Sequence, residues 1–92
     1  MHALVMTVSI APGQFESAHQ QLQSQVIPRV KQMPGFVRGY WTVNAGHDRG
    51  TSLVVFDTEQ NAQSAVTGAR TNPLPPGVAL VNVEIAEVTG DA

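Results

Sequence analysis

The 92-residue sequence contains no cysteine, which excludes disulfides, thiolate metal sites and cysteine nucleophiles. Charged residues make up only 13% of the chain, against an average of about 25%. Five Lys and Arg with a net charge of −2 cannot form the basic surface that neutralises phosphates, so no nucleic-acid partner is expected. No apolar run approaches the roughly 18 residues of a membrane span, and no Lys or Arg precedes the apolar N-terminal stretch as in a signal peptide. We therefore expect a cytoplasmic protein without a membrane partner.

The apolar content of 42% is close to that of ordinary globular chains, and it is arranged periodically. We expect one domain over residues 1–92. β-branched and aromatic enrichment predicts strands over residues 2–10, 36–43, 51–56 and 78–88. Alternation in the second strand places Phe36, Arg38, Tyr40 and Thr42 on one face and Val37, Gly39, Trp41 and Val43 on the other. In the last strand it groups Val81, Val83 and Ile85.

Two helices are predicted between these strands. An apolar stripe at three- and four-residue steps predicts a helix over residues 14–33, which Pro34-Gly35 ends. Pro28 lacks the N–H that would bond to Ser24, so we expect a kink or a restart there. The second helix follows Asp57 as its predicted N-cap, with Gln60 completing a capping box. Its stripe of small residues, Ala62, Ala65, Val66 and Ala69, predicts close packing.

The order strand, helix, strand, strand, helix, strand predicts a ferredoxin-like α+β fold, with a four-stranded antiparallel sheet and both helices on one face. The other face would be exposed in a monomer, yet each strand carries apolar residues on both faces. These pairs are Leu4 and Val5, Val37 and Phe36, Val54 and Val55, and Leu80 and Val81. Because soluble monomers seldom expose large apolar patches, we expect a homodimer through this sheet face.

The stretches VKQMPGFVRGYW (30–41) and TSLVVFDTEQNAQSA (51–65) resemble the antibiotic-biosynthesis-monooxygenase-type domains of the dimeric α+β barrel superfamily. The resemblance extends over nearly the whole chain as an order of elements. It implies two sheets that face each other across a dimer, with a pocket in each protomer between sheet and helices. It implies no single reaction, because one fold carries many functions.

Cofactor-independent oxygenases of this family act on electron-rich phenolic or quinol-type compounds, so the resemblance implies no cofactor. Such chemistry needs a shaped apolar pocket and a polar group that assists deprotonation. Arg38, Tyr40 and Trp41 are candidates for a stabilising charge, a phenolic hydrogen bond and an aromatic wall. The alternative is that the two aromatic residues fill the core and the interface. The haem-degrading branch typically uses a histidine of the second helix, and residues 58–70 contain none, so haem degradation is not expected.

The three histidines are scattered. His19 lies at the border of the first helical stripe and is a candidate for the pocket rim, with solvation at the rim as the alternative. His47 sits beside Asp48 in a predicted turn, and His2 lies near the chain start. Their spacing matches no metal signature, so no metal is expected. A non-catalytic small-ligand-binding or regulatory dimer remains the alternative function.

Overall fold

The computed structural model describes residues 1–92 and has the predicted order of strands and helices. The elements are β1 (His2–Ile10), α1 (Phe15–Gln21), a π-helical turn (Leu22–Val26), α2 (Ile27–Lys31), β2 (Phe36–Val43), β3 (Arg49–Phe56), α3 (Glu59–Thr71) and β4 (Val78–Glu87). The four strands pair antiparallel in the order β2-β3-β1-β4. This confirms the ferredoxin-like α+β fold. No helix is long and apolar enough to cross a membrane.

The hydrophobic core lies between the sheet and α3. Ala62, Ala65 and Val66 of α3 are all buried against Leu4, Val54, Phe56 and Val83 of the sheet. Small side chains allow the helix backbone to approach the strands closely, as the stripe predicted. Phe56, only 1% exposed, is the largest fully buried side chain of this layer.

The N-terminus of α3 differs from the prediction by one residue. The N-cap is Thr58, whose hydroxyl accepts a hydrogen bond from the Asn61 backbone N–H at 3.1 Å. Asp57 instead accepts from the Asn61 side-chain amide at 2.9 Å. The predicted Asp57–Gln60 capping box is therefore wrong: Thr58 has the extended backbone that an N-cap requires, and it offers its own side-chain oxygen.

The first helix changes its geometry next to Pro28, where a kink or a restart was expected. The helical segment of residues 15–31 changes from α to π geometry at Leu22–Val26, and Pro28 lies in the first turn of α2. The Ile27 N–H donates to the Leu22 carbonyl five residues earlier, so the run stays continuous and the π turn accompanies the N–H that Pro28 lacks. The segment ends at Lys31, two residues before the predicted end. Unlike α3, it contributes no fully buried residue, so it lies less tightly on the sheet.

Two β-bulges change which face some residues occupy. In β2, Phe36 pairs with Phe56 and Arg38 with Val55, so the extra residue Val37 interrupts the alternation. Phe36 therefore packs against the core, and its predicted position beside Arg38 is wrong. In β4 the register shifts at Val81, which is 50% exposed. The prediction that Val81 shares a face with Val83 is therefore wrong. Bulges arise from cross-strand pairing, which alternation along one strand cannot reveal.

The face of the sheet opposite the helices, here called the outer face, carries an apolar row across its strands. Tyr40 of β2 pairs with Leu53 of β3, which pairs with Val5 of β1. Tyr40 is 57% exposed and Leu53 is 41% exposed. Large apolar side chains thus lie uncovered near the middle of this face.

Candidate functional site

A cavity of about 400 Å³ lies between the 15–31 helical segment and the sheet. It exists because this segment stands away from the strands, whereas α3 packs directly on them. Thirteen of its 20 lining residues are hydrophobic. The lining comes from all four strands, from the helical segment and from the connector before β4, including Met6, Val8, Ile10, Phe15, Leu22, Val26, Ile27, Trp41, Leu74 and Val78. We call this space the helix–sheet cavity.

Trp41 forms part of the sheet side of the helix–sheet cavity. Its ring lies along the strand directly over Gly39: a Cβ at Gly39 would stand only 2.7 Å from the ring carbon Cη2. Glycine at this position therefore lets the indole lie close to the β2 backbone. The arrangement presents aromatic surface to the cavity from a strand that is held by hydrogen bonds to β3.

Ser52 is the only polar side chain among the buried residues, with 8% of its surface exposed. It lies on β3 between Met6 of β1 and Trp41 of β2, and it lines the helix–sheet cavity. Two further polar side chains, His19 and Gln23, line the cavity from the helical side, and their Nε2 atoms are 3.4 Å apart. The cavity is thus apolar with polar groups at separate places, an arrangement typical of small-molecule sites.

Three aromatic rings stack beside the helix–sheet cavity. The ring of Phe15 lies between those of His19 and His47, with centroid distances of 5.5 and 4.1 Å. His47 belongs to the β2–β3 loop and adopts a left-handed backbone, with φ of 56°. The Asn44 side chain fixes this loop by accepting hydrogen bonds from the backbone N–H groups of Asp48 and Arg49. The predicted turn at His47 is confirmed, and its ring contacts the first helix.

The connector before β4 lines the same end of the cavity. Leu74 and Pro75 border the space, and the Ala11 backbone N–H donates to the Gly77 carbonyl at 2.8 Å. Gly77 has φ of 81°, and a Cβ there would stand 2.5 Å from the Gln14 side chain, so glycine is required at this turn. The connector of residues 72–77 therefore places apolar side chains against the helix–sheet cavity.

The four residues singled out from sequence fall into two groups. His19 and Trp41 line the helix–sheet cavity. Arg38 does not, and Tyr40 borders the cavity only along its strand, because β2 alternation places the Arg38 and Tyr40 side chains on the outer face. Sequence reasoning missed Ser52 and Gln23. A serine within the apolar run SLVVF was the one available signal for Ser52.

A second depression, of about 690 Å³, lies at the other end of the sheet and has a different character. Five of its six lining residues are polar: His2, Glu59, Gln60, Gln63 and Glu87, with Ile85 as the exception. His2 Nε2 lies 3.6 Å from the Glu59 carboxylate, whose side chain is 72% exposed. An exposed pair of this kind contributes little binding energy, so this depression is not the candidate site.

The fold and the cavity define the chain as a small ferredoxin-like α+β protein with an apolar cavity between one helix and the sheet. No protein-family profile matches the sequence, and no curated protein matches it. Solved structures do share its fold. A protein of unknown function from Nitrosomonas europaea superposes with a TM-score of 0.69 at 19% identity, over 99% of this chain and 91% of the other.

Two further structures connect the fold to proteins with a described activity or ligand. An antibiotic-biosynthesis-monooxygenase-like protein from Chloroflexus aurantiacus gives a TM-score of 0.64 at 18% identity, over 99% of this chain and 95% of that one. A variant of MhuD with two manganese protoporphyrin IX molecules bound per active site gives 0.67 at 16% identity, over 100% and 98%. The resemblance to antibiotic-biosynthesis-monooxygenase-type domains is confirmed at the level of the fold.

Proposed function

We propose that residues 1–92 act as one domain that binds an apolar, aromatic small molecule in the helix–sheet cavity. The observation that carries this proposal is a 400 Å³ space with 13 hydrophobic lining residues in a chain of only 92 residues. The space opens to solvent on one side, so a small molecule can enter it from the surface. The volume falls within the roughly 300–1,000 Å³ range of ligand pockets.

The shape of the lining supports a planar ligand. The Trp41 ring lies over Gly39 on the sheet side, and the stacked rings of Phe15 and His19 lie on the helical side. The Trp41 face that points away from Gly39 favours offset stacking with an aromatic ligand, whereas the Phe15 ring, stacked with His19 and His47, can offer only its edge. No Lys, Arg, Asp or Glu lines the cavity, so a ligand with a full charge inside it would find no partner.

We further propose that the protein is a homodimer whose outer sheet faces pack together. The row of Tyr40, Leu53 and Val5 supports this, because two of the three side chains are largely exposed in the single chain. A stable interface covers about 800 Å² on each partner, which the face of a four-stranded sheet supplies. In a two-fold dimer of this chain, the row of each copy would be covered by the row of the other copy.

Cofactor-independent oxygenation of the bound ligand is the second proposed function, and His19 is the observation that favours it. His19 is the only ionisable side chain that faces the helix–sheet cavity. As a base it would take one proton from an acidic ligand CH₂ group, and the resulting carbanion would pass an electron to O₂. Recombination forms the C–O bond of a peroxide, and loss of water leaves a C=O group. One CH₂ and one O₂ thus become one carbonyl and one water.

Replacing His19 with glutamine tests this oxygenation. With anthrone as substrate in metal-free buffer, we expect O₂ consumption by the unaltered protein and a loss of rate of about 100-fold in His19→Gln, the usual contribution of a general base. An oxygen electrode with product detection by absorbance measures both rates. The matched control is His2→Gln, because His2 lies in the polar depression and not in the helix–sheet cavity.

The outcomes separate the two functions. Equal rates in His19→Gln and His2→Gln would remove His19 as the base. No O₂ consumption with anthrone, combined with measurable binding, would identify a non-catalytic binding or regulatory protein. Porphyrin chemistry of the kind suggested by the MhuD ligand is not proposed, since α3 offers no histidine to coordinate an iron.

A further inference from the structure

Ser52 occupies a position where a hydroxyl has no structural task. Its backbone is paired on both sides, with Met6 of β1 and Trp41 of β2, so the side chain caps no helix and closes no turn. An alanine would fill nearly the same space without carrying a polar group into an apolar layer. Burial of a hydroxyl without a partner is unfavourable, so a role for this oxygen is expected.

The Ser52 hydroxyl has no partner within the chain. None of the side-chain hydrogen bonds of the structure involves it. The chain contains no fully enclosed side-chain N or O atom that lacks a hydrogen-bond partner. The hydroxyl of this 92%-buried residue therefore retains some accessible surface, and the space that it reaches is the helix–sheet cavity that it lines.

We propose that Ser52 is the hydrogen-bonding anchor of the ligand and selects aromatic compounds that carry a hydroxyl or carbonyl oxygen at their buried end. This inference rests on the proposed binding function. A serine hydroxyl both donates and accepts, so it pairs with a phenol as well as with a ketone or quinone carbonyl. The neighbouring Met6 and Trp41 side chains offer apolar contact to the ring that carries the oxygen.

The position of Ser52 also fixes the orientation of the ligand. The other polar side chains that face the cavity, His19 and Gln23, belong to the helix on the opposite side, and both are exposed to solvent. A ligand anchored at Ser52 places its oxygen on the sheet and its remaining edge toward the helix. Ser52 is thus a positioning and specificity-determining residue, distinct from the candidate base His19.

The test compares two probes of similar shape, 2-naphthol and naphthalene, whose difference is one hydroxyl. Dissociation constants come from NMR titrations of the ¹⁵N-labelled protein. We expect Ser52→Ala to weaken 2-naphthol binding about fivefold, the typical contribution of a neutral hydrogen bond, and to leave naphthalene binding within twofold. Ser17→Ala, on the exposed side of α1 and outside the cavity lining, should change neither constant.

Equal effects of Ser52→Ala on both probes, or no effect on either, would overturn the Ser52 assignment and leave the binding function standing. A selective loss of 2-naphthol binding in Gln23→Leu, with 2-naphthol binding unchanged in Ser52→Ala, would also overturn the assignment. It would place the ligand hydroxyl at the helix. Failure of both probes to bind the unaltered protein would overturn the proposed binding function and the inference together.

Discussion

Replacing Leu53 with lysine will convert the proposed dimer into a monomer. Leu53 lies in the apolar row of the outer face, between Tyr40 and Val5. In a two-fold interface each change occurs twice, so two unpaired ammonium groups would be buried. Removing the partner of a buried charge costs about 3–5 kcal/mol, and a loss of about 4 kcal/mol weakens association about 1,000-fold. Light scattering at micromolar concentration should give the 9.8 kDa chain mass for Leu53→Lys and twice that mass for the unaltered protein.

The variant is informative because lysine at this position does not disturb the single chain. Leu53 is 41% exposed there, so the ammonium group reaches water. Circular dichroism should therefore give an unchanged fold. Ser64→Lys, on the exposed side of α3, adds the same charge away from the outer face and should remain a dimer. A dimeric Leu53→Lys, or an unaltered protein that is monomeric, would refute the sheet-face interface.

Replacing Ala18 with phenylalanine will weaken the proposed ligand binding while retaining the fold. Ala18 is half-buried on α1 and lines the helix–sheet cavity, so a benzyl group in its place enters open space and not packed core. The ring then occupies the volume that a ligand would use. We expect the dissociation constant for 2-naphthol to rise about tenfold or more, because the phenylalanine ring and the ligand ring cannot occupy the same space.

Thermal stability distinguishes this blocking effect from misfolding. Filling a cavity with apolar surface stabilises a protein or leaves it nearly unchanged, so the midpoint of thermal unfolding should not fall. Ser17→Phe is the matched control, because it adds the same ring one residue earlier on the exposed side of α1. If Ala18→Phe bound 2-naphthol as tightly as Ser17→Phe does, the ligand would have to lie outside the helix–sheet cavity.

The element order and the irregularity of the first helix next to Pro28 could be predicted from sequence because both depend on local properties. Strand composition, helical periodicity and the missing proline N–H act within a few residues of one another. The bulges at Val37 and Val81 could not be predicted, because they exist only in the register between paired strands. For the same reason Phe36 was placed on the wrong face.

The candidate site was predicted less completely. His19 and Trp41 stood out by residue type, and both line the cavity. Ser52 did not stand out, because serine is common and only its burial between Met6 and Trp41 makes its hydroxyl unusual. The contact of His47 with Phe15 joins a loop to a distant helix, and no local pattern encodes such a contact.

The binding of an aromatic ligand between helix and sheet is tested most directly by an NMR titration of the unaltered protein with 2-naphthol. Indole N–H and side-chain methyl signals report each face separately, because side chains alternate between the faces of a sheet. We predict saturable shifts at the Trp41 indole N–H and at the methyl groups of Leu22 and Val8, which line the cavity, with the methyl signals of Leu53 on the outer face unchanged. Shifts confined to the outer face, or no saturable shift at any cavity residue, would contradict the proposed site.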